Sequence, residues 1–190
     1  MNLGLRGLGR AVLALGLWVG AAPPAPQGTP VKPSPAPVKY EAEFRQVAGE
    51  RWKRRWAQAR VESGLNPLAV SPVGAQGLTQ FMPRTFARAK SAGWVPKDAS
   101  PFTPVHAIAA QDGYMNLLEG MFQDQGQAWA AYNCGEGNIL RARRLARDLG
   151  LQGSDAWKLT LPSVTGRHAT ETLNYVPRIE AALARLEASL

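Results

Sequence analysis

Glu62 is the residue of this 190-residue chain best placed for acid chemistry, because it stands between a predicted helix and a glycine-rich loop. Apolar residues recur at three- and four-residue steps over residues 41–60, which predicts a helix with one buried stripe. Continuing that period places Glu62 on the buried side, where loss of hydration raises the pKa of a carboxyl group. Such a group holds a proton near neutral pH and can donate it to a glycosidic oxygen. A glutamate that only caps or salt-bridges the helix end is the open alternative.

Two faces are predicted for this helix. The buried stripe consists of Phe44, Ala48, Trp52, Trp56 and Ala59. The solvated basic face consists of Arg45, Arg51, Lys53, Arg54 and Arg55. Ser63, Gly64 and Pro67 end the helix, since proline disfavours helical geometry at the residue before it. In the loop that follows, Gly74 and Gly77 would let the backbone approach a ligand closely.

Four segments carry motifs that occur together in one family of enzymes. They are residues 62–83, which begin Glu-Ser-Gly-Leu-Asn-Pro; 101–104, with Pro-Phe and a further proline; 130–139, with Ala-Tyr-Asn and two glycines; and 171–179, with Glu-Thr-Leu-Asn-Tyr-Val-Pro. In this order, from about Trp52 to Ile179, the chain resembles the lytic transglycosylases, goose-lysozyme-like enzymes that cut peptidoglycan glycan strands. The resemblance implies a mainly α, lysozyme-like single domain with a catalytic cleft and no cofactor.

By this resemblance Glu62 is the single catalytic acid and base, and no metal takes part. The side chains that would line the cleft or support Glu62 are Ser71, Gln80, Tyr132, Asn133, Glu171 and Tyr175. Gln80 could hydrogen-bond sugar hydroxyls or acetamides, and a tyrosine hydroxyl near the carboxylate could hold its rotamer and stabilise its charge. The plainer alternatives are that Tyr132 and Tyr175 are half-buried aromatics and that Asn133 forms a turn.

A count of carboxylates favours a reaction assisted by the substrate. Ordinary glycosidases use two acidic side chains, whereas the motif region offers one, with Asp98, Asp112 and Glu119 outside it. The resemblance implies that Glu62 protonates the oxygen linking N-acetylmuramic acid to N-acetylglucosamine. The muramyl C6 hydroxyl then attacks C1 and leaves a 1,6-anhydromuramyl end. The alternatives are a hydrolytic goose-type lysozyme on the same fold and a non-catalytic wall-binding scaffold component.

Three residues depart from the usual pattern of the family. Thr79 stands where methionine is common, so we expect a smaller, hydroxylated wall in the sugar site, while Cys134 replaces alanine and Glu136 replaces proline. Cys134 is the only cysteine, which excludes an intramolecular disulfide, and we expect it to pack behind the turn at residues 132–133. A cysteine protease built on Cys134 and His168 is the weaker interpretation, because no motif of that class surrounds them.

The N-terminal region is predicted to direct export. Arg6 and Arg10 precede an apolar run at residues 11–22, the pattern of a cleaved signal peptide or of a releasable signal-anchor. Seven prolines between residues 23 and 37 predict a stiff linker. We therefore expect a leader at 1–22, a linker at 23–39 and a catalytic domain at 40–190. The expected location is the bacterial periplasm, with inner-membrane association through residues 3–22.

The charge of the chain agrees with an acidic polymer as its partner. The formal net charge is +8 and the calculated pI is near 10.1, which suits the lactyl-peptide carboxylates of peptidoglycan. No nucleic-acid-binding motif is present, so a nucleic acid is not expected as partner. Further helices are predicted at 105–122, 139–149 and 178–190, with almost no strand-like alternation. The residues expected to be buried are Ile108, Met115, Leu118 and Phe122 in the first of these helices and Ile179, Leu183 and Leu186 in the last. We expect a monomer that acts in wall lysis or in local wall remodelling.

Overall fold

The computed structural model describes residues 37–190, and most of them are helical. The helices are α1 (Glu41–Ala48), α2 (Trp52–Ser63), α3 (Pro83–Ser91), α4 (Pro104–Phe122), α5 (Gln125–Cys134), α6 (Glu136–Asp148), α7 (Ala156–Thr165) and α8 (Ala169–Ser189). Two 3₁₀ turns, Gly49–Arg51 and Gly166–His168, precede α2 and α8. Within residues 37–190, β structure is limited to isolated bridges from Gln76 to Val70 and to Phe81. The prediction of a mainly α fold is confirmed.

The helix predicted over residues 41–60 is divided into α1 and α2. Gly49 adopts φ +53°, a conformation outside the helical range that glycine tolerates better than other residues, and the 3₁₀ turn follows it. The prediction of one continuous helix was therefore wrong at this point. The predicted stripe is nevertheless buried at Phe44, Ala48, Trp52 and Ala59, while Trp56 is half-buried.

Helix α4 lies at the centre of the packing and contacts α1, α2, α3 and α5. It begins with Pro104, which fits the first helical turn because the N–H of that position has no partner within the helix. Its predicted apolar face, Ile108, Met115, Leu118 and Phe122, is buried. This helix supports α2 and α5, the two elements that carry Glu62 and Tyr132.

Arg55 corrects the prediction of a solvated basic face on α2. Its side chain is fully buried, and its guanidinium donates to Asp112 Oδ1 at 2.9 Å and to Glu119 Oε1 at 2.6 Å. Burial tends to raise the pKa of Asp112, but Arg51 and Arg55 outweigh it and hold that pKa below its usual value. The face of α2 that carries Arg55 therefore packs against α4, whose two carboxylates neutralise it.

Helix α8 begins earlier than predicted and runs through a proline. It starts at Ala169 instead of residue 178, with Pro177 inside it. Proline removes one helical hydrogen bond, and the packing of Tyr175, Val176 and Ile179 in the core supports the helix across that position. Leu186 is buried as predicted, and Leu183 is only half-buried. The early start places the motif at 171–179 on one helix.

The predicted leader at residues 1–22 lies outside the described residues, as does the linker up to residue 36. In the part of the chain that the structure describes, no helix has the length and apolar character needed to cross a membrane. The expected export and inner-membrane association therefore stay predictions, as do the boundaries given for leader and linker.

Candidate active site

Glu62 lies in the last turn of α2, two residues before the glycine that ends the helix. Gly64 adopts φ +66°, and its N–H donates to Arg60 O at 3.1 Å, which closes the helix end. The side chain of Glu62 is half-buried and lines a cleft. The helical periodicity predicts this position, at the end of a helix and on the side that faces the protein.

Tyr175 is the hydrogen-bond partner of Glu62 within residues 37–190. The Tyr175 hydroxyl donates to Glu62 Oε1, and the same hydroxyl oxygen accepts a hydrogen bond from Gln58 Nε2 at 3.1 Å. Tyr175 is 3% exposed and lies behind the carboxyl group, outside the cleft lining. Gln58 precedes Glu62 by one helical turn and is fully buried. These three side chains form a series of hydrogen bonds from the core to the cleft.

Burial raises the pKa of Glu62 to about 7, well above the usual value for a carboxyl group. The hydrogen bond from Tyr175 lowers that pKa, the negative charge of Glu171 raises it, and the positive charge of Arg178 lowers it. The C-terminal end of α2 acts in the same direction as burial, since the carbonyl dipoles there disfavour negative charge. At neutral pH both protonation states of Glu62 are populated, as a group that acts first as acid and then as base requires.

The loop between α2 and α3 forms one wall of the cleft and is held by its own backbone. Gly77 adopts φ +74°, and a Cβ atom there would lie 1.8 Å from Pro101 O, so the close approach it allows is to Pro101. Ser71 Oγ accepts a hydrogen bond from Ala75 N at 3.0 Å. Gln80 Nε2 donates to Gly77 O at 2.9 Å, and its Oε1 accepts no hydrogen bond from residues 37–190.

Tyr132 ties α5 to this loop and makes no hydrogen bond to Glu62. Its hydroxyl donates to Thr79 O at 2.8 Å, and its ring packs edge-on against Phe81 with centroids 5.6 Å apart. Burial, followed by the negative charge of Glu62, raises the pKa of Tyr132 well above its usual value. Of the two predicted tyrosines, Tyr175 therefore holds the acid, and Tyr132 lines and shapes the cleft.

Thr79 does not form the predicted hydroxylated wall of the sugar site. Its side chain is fully buried, and its Oγ1 donates to Ala107 O at 3.3 Å on α4. The turn between the bridged residues Gln76 and Phe81 directs this side chain into the core. Only the backbone carbonyl of Thr79 serves the site, as the acceptor for Tyr132.

Asn133 is held against α8 by both ends of its amide. Its Nδ2 donates to Glu171 Oε1 at 3.3 Å, and its Oδ1 accepts from Thr172 Oγ1 at 2.7 Å. The residue lies within α5, so it does not form the turn considered as an alternative. Asn133 and Glu171 both line the cleft, and the hydrogen bond between them joins the ends of two of its helices.

One cleft of about 760 Å³ brings the predicted site residues together. Those that line it are Glu62, Ser71, Gln80, Tyr132, Asn133 and Glu171, with Tyr175 behind the acid. Glu136 and Glu171 also face this cleft, so the count of one carboxylate in the site was too low. They are contributed by α6 and α8, and both follow Glu62 by more than 70 residues along the chain.

Sequence reasoning missed the cluster around Glu136. Glu136 Oε1 accepts from Arg88 Nη1 at 2.7 Å, and its Oε2 accepts from the Tyr114 hydroxyl at 2.6 Å. Burial tends to raise the pKa of Glu136, but the hydrogen bonds from Tyr114 and Arg88 outweigh it and hold the pKa below its usual value. Arg88 and Tyr114 lie outside the four motifs, and they meet Glu136 only in the folded chain. The departure from proline at position 136 was the one signal in the sequence.

Cys134 and His168 line one small pocket beside the cleft but form no hydrogen bond with each other. Burial raises the pKa of the Cys134 thiol to about 11, which is opposite to the shift that activates a cysteine nucleophile. The protease interpretation therefore has no support in the geometry. Among residues 37–190, no three His, Cys, Asp or Glu side chains are grouped so that they could hold a metal ion.

Similarity to known proteins identifies the family. The family model described as the transglycosylase SLT domain matches residues 52–152, which is more than half of the chain. The chain belongs to this family. As an SLT-domain protein it is 34% identical over 124 residues to membrane-bound lytic murein transglycosylase F of Shewanella woodyi, covering 63% of this chain and 25% of that protein.

Solved structures agree with this assignment. The crystal structure of the 70 kDa soluble lytic transglycosylase of Escherichia coli matches with a TM-score of 0.64 and 29% identity, over 78% of this chain and 24% of that one. A complex of a 70 kDa soluble lytic transglycosylase with bulgecin A matches with a TM-score of 0.66 and 28% identity, over 80% and 24%. This SLT-domain chain spans about a quarter of the length of these relatives. The predicted family and the lysozyme-like fold are confirmed.

Proposed function

We propose that this protein is a peptidoglycan lytic transglycosylase, which cleaves the β-1,4 bond between N-acetylmuramic acid and N-acetylglucosamine without water. The observation that supports this most is the state of Glu62, whose carboxyl group has a pKa of about 7 and lines a large cleft. The relatives named above are lytic transglycosylases, which agrees with that chemistry.

In the first step, protonated Glu62 donates its proton to the glycosidic oxygen. The bond between that oxygen and the muramyl C1 breaks, the N-acetylglucosamine side leaves as an alcohol, and positive charge develops at C1. Glu62 becomes a carboxylate as this happens. The hydroxyl of Tyr175 already donates to its Oε1, so the new negative charge has a hydrogen-bond donor without rearrangement.

In the second step, the same carboxylate acts as a base. It removes the proton from the muramyl C6 hydroxyl, and the C6 oxygen attacks C1 to close the 1,6-anhydro ring. The proton lost in the first step is thereby restored to Glu62, and no water is consumed. A pKa of about 7 suits a group that must give and take a proton in one cycle.

The other predicted residues would bind and position the glycan. Gln80 Oε1 and the hydroxyl proton of Ser71 are free for sugar amides and hydroxyls, because their remaining polar atoms hold the loop. Asn133 and Glu171 would contact the sugar on the α5–α8 side of the cleft. Tyr132 would position the loop against α5.

The second candidate is a hydrolytic goose-type lysozyme, and Glu171 is the observation that favours it. Its carboxylate lines the same cleft as Glu62, and its charge raises the pKa of Glu62, so the two groups are close. A carboxylate in that position could activate a water molecule for attack on C1. In this structure Glu171 also accepts a hydrogen bond from Asn133, and a carboxylate held in this way is equally suited to orienting a sugar.

The deciding experiment is mass spectrometry of the muropeptides that the full-length protein releases from purified peptidoglycan, with Glu62→Gln as the inactive control. Products one water lighter than those of a muramidase establish the transglycosylase reaction. Products with reducing ends establish the hydrolase, and Glu171→Gln should then abolish their release.

If the folded wild-type protein releases no muropeptides, the result would favour a wall-binding scaffold component. Binding of bulgecin A by that inactive protein would still show that the cleft accepts a ligand of its relatives. Failure to bind both bulgecin A and peptidoglycan would contradict the proposed function altogether.

Peptidoglycan as substrate requires delivery to the cell wall, and we propose that the chain is exported to the periplasm as a monomer. The relatives named membrane-bound support an envelope location, and the pattern at residues 1–22 supports a leader or releasable anchor. Fractionation of expressing cells tests this, because full-length protein confined to the cytoplasm would contradict it.

A further inference from the structure

Gln58 is a buried polar side chain whose hydrogen bond goes to the tyrosine that holds Glu62. It is 0% exposed, and its Nε2 donates to the Tyr175 hydroxyl oxygen at 3.1 Å. Its Oε1 is buried without a partner in the part of the chain that the structure describes. Gln58 and Glu62 are one turn apart on α2, so both reach Tyr175 on α8.

This arrangement determines which way the hydroxyl proton of Tyr175 points. A tyrosine hydroxyl has a single proton to donate and lone pairs that accept. Because Gln58 donates to the oxygen of Tyr175, the hydroxyl proton is directed to Glu62 Oε1. Oε1 is then occupied as an acceptor, so the proton that Glu62 itself carries belongs on Oε2, which has no hydrogen-bond partner among residues 37–190.

We propose that Gln58 is a positioning residue that directs the Tyr175 hydroxyl so that the acidic proton of Glu62 is carried on the oxygen available to the substrate. Without Gln58, the protonated carboxyl group can donate from Oε1 to the oxygen of Tyr175. Its proton is then turned away from the glycosidic oxygen. This assignment rests on the proposed function, because it gives Gln58 a part in the same proton transfer.

Three other titratable groups lie around Glu62. On α8, the charge of Glu171 raises the pKa of Glu62 and the charge of Arg178 lowers it. On α5, the charge of Glu62 raises the pKa of Tyr132. None of these three residues hydrogen-bonds the hydroxyl of Tyr175. The direction of that hydroxyl therefore depends on the glutamine.

Gln111 on α4 is a matched control for Gln58. It is likewise 0% exposed, with its Oε1 buried and unpartnered among residues 37–190. Its Nε2 donates to the backbone oxygen of Arg55 at 3.1 Å instead of to the acid's partner. Substituting methionine at either position removes the same buried polar groups, and only Gln58→Met frees the hydroxyl of Tyr175.

The experiment compares full-length wild type, Gln58→Met and Gln111→Met. The readouts are kcat and KM on peptidoglycan, together with the pKa of Glu62 from ¹³C NMR of labelled glutamate carboxyls, assigned with Glu62→Gln. Gln58→Met should lower kcat about three- to tenfold, the range that one neutral hydrogen bond represents, with KM unchanged. It should also raise the pKa of Glu62, because the hydrogen bond from Tyr175 to the carboxylate weakens and the neutral acid gains an acceptor.

Gln111→Met should keep the wild-type kcat and pKa. Wild-type values in Gln58→Met, or equal losses of kcat in both variants, would overturn the inference. The NMR readout tests this inference separately from the proposed function. If none of the three proteins releases product, a pKa of Glu62 that is raised in Gln58→Met and not in Gln111→Met still supports the hydrogen-bond direction. An unchanged pKa of Glu62 in Gln58→Met overturns the inference. If the methionine variant does not fold, Gln58→Leu replaces it, because the side chain of leucine is shorter and equally apolar.

Discussion

Two carboxylates of the same cleft, those of Glu62 and Glu136, each accept a hydrogen bond from a buried tyrosine hydroxyl, yet their pKa values move in opposite directions. Burial raises the pKa of Glu62 to about 7 even with Tyr175 donating to it. The pKa of Glu136 lies below its usual value, because Tyr114 and the ion pair with Arg88 together outweigh burial. A tyrosine hydrogen bond alone therefore does not decide the protonation state.

The helix ends add to this difference. Glu62 lies at the C-terminal end of α2, where carbonyl dipoles disfavour a negative charge, and Glu136 lies at the first position of α6, where N–H dipoles favour one. The cleft thus holds one carboxyl group suited to proton transfer and one that remains a fixed negative charge. Among residues 37–190 no cation forms an ion pair with Glu62, and the comparison indicates that this difference from Glu136 keeps the pKa of Glu62 high.

The largest contrast is expected in activity. Glu62→Gln should lower kcat by about 10²–10⁴, the usual contribution of general acid–base catalysis. Glu136→Gln should lower it by less than about tenfold, because Glu136 keeps its charge through the cycle and transfers no proton. Muropeptide release under single-turnover conditions measures both. Equal losses in the two variants would mean that the roles assigned to the carboxylates are wrong.

The charges of Glu62 and Glu136 are expected to change the free energy of unfolding in opposite directions. The pKa of Glu62 rises from 4.5 when unfolded to about 7 when folded, so wild type should lose up to about 3 kcal/mol of unfolding free energy as pH rises through that interval. Glu62→Gln lacks this loss and should become the more stable protein above pH 7. Glu136 contributes stability while it is ionised, so Glu136→Gln should be less stable than wild type at neutral pH. Urea unfolding at pH 4.5 and pH 8 measures these differences, and parallel pH profiles for all three proteins would refute them.

Removing each tyrosine hydroxyl sharpens the comparison. Tyr175→Phe should lower kcat about ten- to hundredfold, in line with the loss of a hydrogen bond to a charged group. It should also raise the pKa of Glu62 and move the pH–activity profile upward. Tyr114→Phe is the matched control: it should raise the pKa of Glu136 and leave that of Glu62 in place. Carboxyl NMR titration distinguishes the two, and a shift of Glu62 in the Tyr114 variant would argue against separate sites.

The smallest effect is expected from removing the cation beside Glu136. Arg88→Met should raise the pKa of Glu136, since the variant loses both the hydrogen bond and the positive charge that Arg88 contributes against burial. The loss in unfolding free energy should stay below about 1 kcal/mol, because the ion pair is partly exposed to solvent. NMR titration and urea unfolding provide the readouts. A pKa of Glu136 that does not move would show that its protonation state is set by something other than Arg88.

Local patterns in the sequence were sufficient to predict that Glu62 lies at a helix end on the side that faces the protein, whereas the cleft around it was implied by the family resemblance. The helical period, the glycine after Ser63 and the four motifs act through neighbouring residues, and their predictions hold at the end of α2 and along α4. Residues of three motifs, 62–83, 130–139 and 171–179, meet in one cleft, at the end of α2, at the junction of α5 with α6 and in the first turn of α8.

Features that depend on distant partners could not be predicted in the same way. Arg55 was assigned to a solvated face because its carboxylate partners lie on α4, more than 50 residues away. Gln58 carried no signal, since its role depends on contact with Tyr175. Periodicity reports which face of a helix is polar, but it does not distinguish water from a buried partner.

The order in which the chain is synthesised bears on the hydrogen bond between Tyr175 and Glu62, which joins residues 113 positions apart. At about 5–20 residues per second, Glu62 leaves the ribosome about 6 to 23 seconds before Tyr175 does. During that interval the acid has neither its donor nor the helix that buries it. The hydrogen bond to Glu62 and the burial that raises its pKa are therefore both acquired late, when α8 docks against α2, and a chain that ends before α8 has neither.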